Sequence, residues 1–182
     1  MKINKAVILA ICMVLLFTSS CRTSRVSQVQ LQLVQYALKE SDLTGNWNVT
    51  GQAPSVAFGG ESYDVGYERD DFVFINHTVS MHSSIERTQQ AYAEWETRFF
   101  GLPNSQPDVS YIPLDPTDDH RIECSRLEPD DPIMVCVYLQ RHNTLISFVK
   151  VGFDNRSLEN LTVDDMGDIL QALDKRLNGL DN

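Results

Sequence analysis

Residues 133–140 read Ile-Met-Val-Cys-Val-Tyr-Leu-Gln, and as a strand this run is apolar on both of its rows. Val135, Val137 and Leu139 fall on one row; Met134, Cys136 and Tyr138 fall on the other. A strand with one wet face alternates apolar with polar, whereas a strand apolar on both rows belongs to a sheet covered on both sides. The run therefore predicts a sheet held between helices.

The neighbouring segments supply the rest of that sheet. Residues 120–126 and 144–151 read as strands, joined to the central one by turns at Glu128-Pro129-Asp130-Asp131 and Arg141-His142-Asn143. Upstream, Tyr63, Val65 and Tyr67 alternate with polar or small residues, and Val73, Ile75, His77, Val79 and Met81 form the inward row of a longer strand. A first helix over 26–40 is predicted from the spacing of Val26, Val29, Leu33, Val34, Ala37 and Leu38. A second opens on a capping box of Ser83 and Glu86 and carries Ile85, Tyr92, Trp95 and Phe99 on one stripe. A third begins at Thr162 and Asp165 and presents Val163, Met166, Ile169, Leu170, Leu173 and Leu177. Prolines 103, 107, 113 and 116 mark an irregular connection with at most a short strand at 109–112. The order is α-β-β-α-β-β-β-α, an α+β fold with three helices on a mostly antiparallel sheet of about five to six strands.

At the amino terminus, Lys2 and Lys5 precede an apolar run over 6–17, which at about a dozen residues is too short to cross a ~30 Å hydrocarbon core. This pattern predicts a signal peptide over 1–20. Thr18-Ser19-Ser20-Cys21 then leads small residues into a cysteine and resembles the lipobox of bacterial lipoproteins. The resemblance implies cleavage before Cys21, a diacylglycerol on its thiol, acylation of the new amino terminus, and membrane attachment through that lipid. Thr18 stands where the family prefers Leu, and Thr18 with Ser20 also fits an ordinary secretory cleavage site, so free secretion is the alternative. Residues 21–25 form a tether of roughly 15–20 Å at full extension, and 26–182 form a single domain. Arg22 in place of an Asp after the cysteine implies, by the same resemblance, the outer membrane where the host has one. Otherwise the domain sits on the outer face of the cell membrane.

The formal charge is −10, and losing 1–20 removes two lysines and no acid, so −10 less 2 leaves −12 on the mature chain. Nucleic acid is an unsuitable partner for such a surface, because phosphate binding relies on clustered Lys and Arg. Of four cysteines, Cys12 leaves with the signal and Cys21 takes the lipid, so Cys124 and Cys136 remain as a pair in an oxidising compartment. Setting these two opposite each other across the hairpin puts Ile122 against Tyr138 and Arg126 against Met134. Each strand then keeps one row facing the bridge, and a Cys124–Cys136 disulfide is predicted.

Catalytic patterns are missing from the sequence: there is no G-x-S-x-G, H-E-x-x-H, C-x-x-C, phosphate-binding glycine loop or EF-hand spacing, and no cofactor is called for. His77, on an inward row, is expected to be a hydrogen-bonded core histidine. Asp115, Asp118, Asp119 and His120 read as a solvated loop, and Asp164, Asp165 and Asp168 as acids at the positive end of a helix. Trp47, Tyr63, Tyr67 and Tyr111 either line a ligand pocket or belong to the core.

Asp42-Leu43-Thr44-Gly45-Asn46-Trp47 follows the first helix, and Tyr138-Leu139-Gln140-Arg141-His142-Asn143 precedes a terminal helix with Lys175-Arg176-Leu177. Together these are similar to a broad group of small bacterial extracytoplasmic lipoproteins, some of which resemble PsbP-like or kinase-sensor domains. Thr44 stands where that group has Pro, and Gly45 comes one position early. No catalytic residue is carried over. The resemblance implies a non-enzymatic binding or sensing module on a membrane; the alternative is an accessory protein that docks onto an envelope or secreted assembly. A deep pocket lined by the aromatic set would mark the first, and a flat exposed apolar surface near the first helix the second.

Overall fold

The computed structural model describes residues 27–70, 73–101, 105–106, 111–115, 119–126, 128, 130–154 and 163–179. Its strands are β1 (Asn48–Ala57), β2 (Gly60–Asp70), β3 (Val73–Met81), β4 (Ser105–Gln106), β5 (Asp119–Arg126), β6 (Ile133–His142) and β7 (Leu145–Asp154). Helices α1 (Gln28–Leu33), α2 (Ile85–Phe99) and α3 (Val163–Leu177) complete the α+β fold. The sheet runs β1-β2-β3-β7-β6-β5-β4 and every pairing is antiparallel. Because β4 has only two residues, six strands are of full length. The molecule is thus two three-stranded meanders, β1–β2–β3 and β5–β6–β7, joined at a seam between β3 and β7.

The sheet is covered on both sides, as the double-apolar run at 133–140 predicts. On one side Ile75, Val79, Tyr138 and Val149 pack against Leu33 and Leu38 from the amino-terminal segment and against Met166, Ile169, Leu170 and Leu173 of α3. On the other side Val137, Leu139, Ile146 and Phe148 pack under Ala91, Tyr92 and Trp95 of α2. Each such side chain taken fully out of water contributes about 1.5–3 kcal/mol. The two coverings differ in extent. Helix α2 lies over β6 and β7, so on its side the β1–β2–β3 half of the sheet has no helix over it among the described residues.

Three local expectations need correction. The first helix stops at Leu33 instead of reaching 40. Its backbone bonds tighten to i→i−3 from Gln35 onward, and the Leu38 peptide takes its partners from the sheet: Leu38 N–H donates to His77 Nδ1 at 3.0 Å, and Tyr67 Oη donates to the Leu38 carbonyl at 3.0 Å. Tertiary partners outcompete the helical ones there. The second helix is capped by Ser84, whose Oγ accepts from Arg87 N, and not by the Ser83–Glu86 pair. Ile85 accordingly lies outside the buried stripe. Finally, β1 has no counterpart in the expected order. An edge strand with hardly a buried residue has no reason to alternate, and Gly51 and Pro54 interrupt what pattern there is. The short strand expected at 109–112 is not seen at 111–112; a two-residue strand lies at 105–106 instead, and 107–110 fall outside the described residues, as does Thr162.

The β1–β2 turn is two residues, Phe58 and Gly59, both at positive φ (48° and 77°), with Ala57 opposite Gly60. A left-handed Phe costs roughly 1–2 kcal/mol. Its ring lies 4.6 Å from that of Trp95, an aromatic contact that offsets the strain and fastens the hairpin tip to α2.

Candidate interaction surface

Cys124 and Cys136 are directly opposite in the β5–β6 register, with Ile122 against Tyr138 and Arg126 against Met134, and their sulfurs stand at disulfide distance. Both cysteines are buried. Cys21 lies outside the described residues.

The aromatic set resolves into core. Trp47 and Tyr67 are buried in the larger cluster, and Tyr63 and Tyr111 pack against its margin. Each polar end has a partner: Trp47 Nε1 donates to the Thr44 carbonyl at 3.1 Å, and Tyr111 Oη donates to Asp174 Oδ2 at 2.9 Å. Burial and the adjoining Asp174 carboxylate raise the Tyr111 phenol above its ordinary range.

Asp174 is itself a fully buried carboxylate on α3. Besides Tyr111 it accepts from Gln140 Nε2 at 3.0 Å, from Asn178 Nδ2 at 2.9 Å and from the Leu114 N–H. Two residues further along α3, Arg176 Nη2 donates to Asp42 Oδ1 at 2.6 Å, an ion pair that is almost entirely buried. Here residues of the 42–47 and 138–143 stretches act as fasteners: Asp42 ties the segment after α1 to α3, Gln140 ties α3 to β6, and Trp47 packs into the core.

His77 is the hydrogen-bonded core residue that its position suggests. Because Nδ1 accepts from Leu38 N–H, the neutral ring carries its proton on Nε2, which donates to Ser147 Oγ at 3.0 Å. Burial, with Arg176 adding to it, lowers the ring's pKa to about 3. A serine activated by histidine needs the reverse wiring, with the ring accepting the hydroxyl proton. The pair is a structural joint across the β3–β7 seam.

The suspected acidic loop divides. Asp119 and His120 begin β5, and Asp119 Oδ2 accepts from Arg141 Nη2 at 2.6 Å; Asp118 lies outside the described residues. Among the described residues no group of His, Cys, Asp and Glu is placed to hold a metal ion. Asp168 is exposed on the first turns of α3.

What the surface does offer lies along β1. All ten residues of this strand, Asn48–Ala57, are uncharged, and among the described residues no strand pairs with its outer side. Val49 is 48% exposed and Val56 73%. Leu31 of α1 is 63% exposed, and the Gln30 before it donates Nε2 to the Ser55 carbonyl at 3.1 Å, which links α1 to β1. Nearby, Ser27 Oγ donates to a Glu61 carboxylate oxygen, fixing the start of the described chain to the hairpin. On the face that α2 leaves open, a shallow trough of about 350 Å³ runs beside the strand, lined by Gly51, Ala53, Asp64, Gly66, Asn76 and Thr78 among others. A second hollow of about 370 Å³ lies between the hairpin tip and α2, lined by Phe58, His82, Arg87, Gln90 and Glu94. Burial lowers the His82 pKa, and its Nε2 lies 3.3 Å from Ser80 Oγ.

Periodicity could not find this edge, but charge could. The longest stretch without Asp, Glu, Lys or Arg anywhere in the chain is 43–60, and it contains all of β1 and its turn. No family model, curated protein or solved structure matches the chain.

Proposed function

We propose that this protein is a lipid-anchored envelope protein that works without catalysis, docking onto a partner protein through β1 and the adjoining face of α1. The observation that carries the reading is the ten-residue uncharged edge strand with Val49, Val56 and neighbouring Leu31 exposed. Sheet edges open to solvent are ordinarily blunted by charge or covered, because their backbone is a template for another strand. Trp47 and Tyr67 are core residues, which favours docking over a ligand sensor built on that aromatic set. The anchor rests on Lys2, Lys5, the apolar run at 6–17 and the small residues before Cys21, and Arg22 favours the outer membrane of a two-membrane host.

A photo-crosslinking residue at Val56 or Leu31, introduced in the native host, is expected to capture a discrete envelope protein. The same residue at Gln171, exposed on α3, is expected to capture none. Equal yields from both faces, or none from β1, would remove the docking reading. Cys21→Ala is expected to block processing or release the protein from membranes; a processed chain that still sediments with membranes would remove the anchor.

Sensing of a small polar ligand has one observation in its favour, the hollow at His82, Arg87, Gln90 and Glu94. Native mass spectrometry of protein purified from its host separates the two readings, since a sensor would carry a small molecule and a docking protein a chain.

A further inference from the structure

We infer that the β1 edge receives an extended strand of a partner, and that this strand carries a lysine or arginine whose side chain lies in the trough and pairs with Asp64. The inference rests on the docking reading and adds the chemistry of the partner.

Asp64 is half-buried on β2, and its carboxylate makes no hydrogen bond or ion pair to any described residue. In register it stands between Ala53 of β1 and Thr78 of β3. A residue added beside β1 opposite Ala53 would extend that row, with its side chain on the same face. Two strand spacings, about 10 Å, separate it from β2, and only the Ala53 methyl lies between. A long basic side chain spans that gap; an apolar or acidic one leaves the carboxylate half-desolvated and unpaired. Over Gly66 the Thr50 and Asn76 side chains close in, where a Cβ would collide with Thr50 Oγ1 and come within 3.0 Å of Asn76 Oδ1, whereas a Cβ at Gly51 would meet nothing within 4 Å. Lys150, in register with Asn76, directs its ammonium over the Phe74 ring, 5.6 Å from the centroid, and leaves Asp64 to another cation.

The same features argue against a second copy as the occupant. Two chains of charge −10 meeting edge to edge would bring acidic surfaces together, with no lysine or arginine on β1 to offset them. Pro54 lacks an N–H and Thr50 is the extra residue of a bulge, so pairing concentrates on the Gly51–Ala53 stretch where the trough lies.

The test uses short synthetic peptides of alternating Thr and Gln, identical except for a central Arg or Glu, with a third Arg peptide N-methylated on alternate amides to prevent strand addition. Fluorescence anisotropy is expected to show the Arg peptide binding at least about tenfold more tightly than the other two. Asp64→Asn is expected to weaken it about tenfold with no change in melting temperature, and Ala53→Arg, which fills the trough in cis, to block it. Equal binding of the Arg and Glu peptides, indifference to N-methylation or to Asp64→Asn, or no binding at all overturns the proposal. A dimer in light scattering that Ala53→Arg converts to monomer overturns it too, by assigning the edge to a second copy. Peptide failure with persistent crosslinks from Val56 removes strand addition and leaves docking standing, whereas loss of those crosslinks removes docking itself.

Discussion

The two meanders share a sheet and little else. β5–β6–β7 is covered on both faces, stapled at Cys124–Cys136 and tied to α3 by Gln140 on the buried Asp174, which also holds Tyr111, Leu114 and Asn178. β1–β2–β3 is covered on one face, open on the other, and ends in a strand whose ten residues are almost all exposed. The difference teaches where the fold's stability is held and where surface is left available. A strand that buries as little as β1 tolerates sequence change, and such regions are where interaction surfaces can be placed without cost to the core.

The hardest test of that division is Asp174→Ala. Removing the carboxylate leaves buried donors unpaired, and a loss of about 3–5 kcal/mol is expected in urea unfolding. A loss below about 1 kcal/mol would mean the covered half is not the stability reservoir. Next is the staple: reducing the disulfide is expected to lower stability by up to about 3 kcal/mol on the chain-entropy model, read as a drop in melting temperature. An unchanged melting temperature would show the hairpin already formed in the unfolded chain.

Acid acts at the seam between the halves. His77 titrates at about 3 in the folded state and near 6.5 when unfolded, so between those values the unfolded chain holds the extra proton. Stability is then fully present above about pH 6.5 and falls with pH, by at most ~1.4 kcal/mol per unit, until it levels near pH 3. His82, also lowered by burial, adds in the same direction. His77→Asn should flatten the slope of unfolding midpoint against pH; an unchanged slope would place the acid sensitivity elsewhere. The smallest effect belongs to the open half, where Val56→Ser should shift stability by no more than about 0.5 kcal/mol. A larger loss would mean that β1 is built into the core after all.

These contrasts also explain what the sequence could show. The strand at 133–140 was legible because burial on both faces writes an apolar residue at nearly every position, and the Cys124–Cys136 register followed from strand parity. β1 was illegible for the opposite reason: a strand that buries nothing carries no period, and Gly51 and Pro54 read as loop. The end of α1 was hidden because the competing partners of Leu38, His77 and Tyr67, are remote in sequence. Of the candidate surface, only the uncharged run at 43–60 could be seen in advance, as an absence of charge and not as a motif.

The hydrogen bond from Leu38 N–H to His77 Nδ1 sets the order in which the molecule comes apart. It needs a bare ring nitrogen, so the proton that destabilises the seam is also the one that lets go of the segment leading from α1 to Trp47. That segment has only a short helix of its own and depends on borrowed partners, whereas the strands on either side of His77 keep their ladders. Acid near pH 3, where the folded-state ring takes up its proton, should therefore peel the amino-terminal arm from an otherwise intact sheet, and amide exchange at Leu38 should quicken before that of Ile75 or Val149. With the anchor proposed at Cys21, the freed arm would become added leash, letting the body stand farther from the surface at low pH than at neutral.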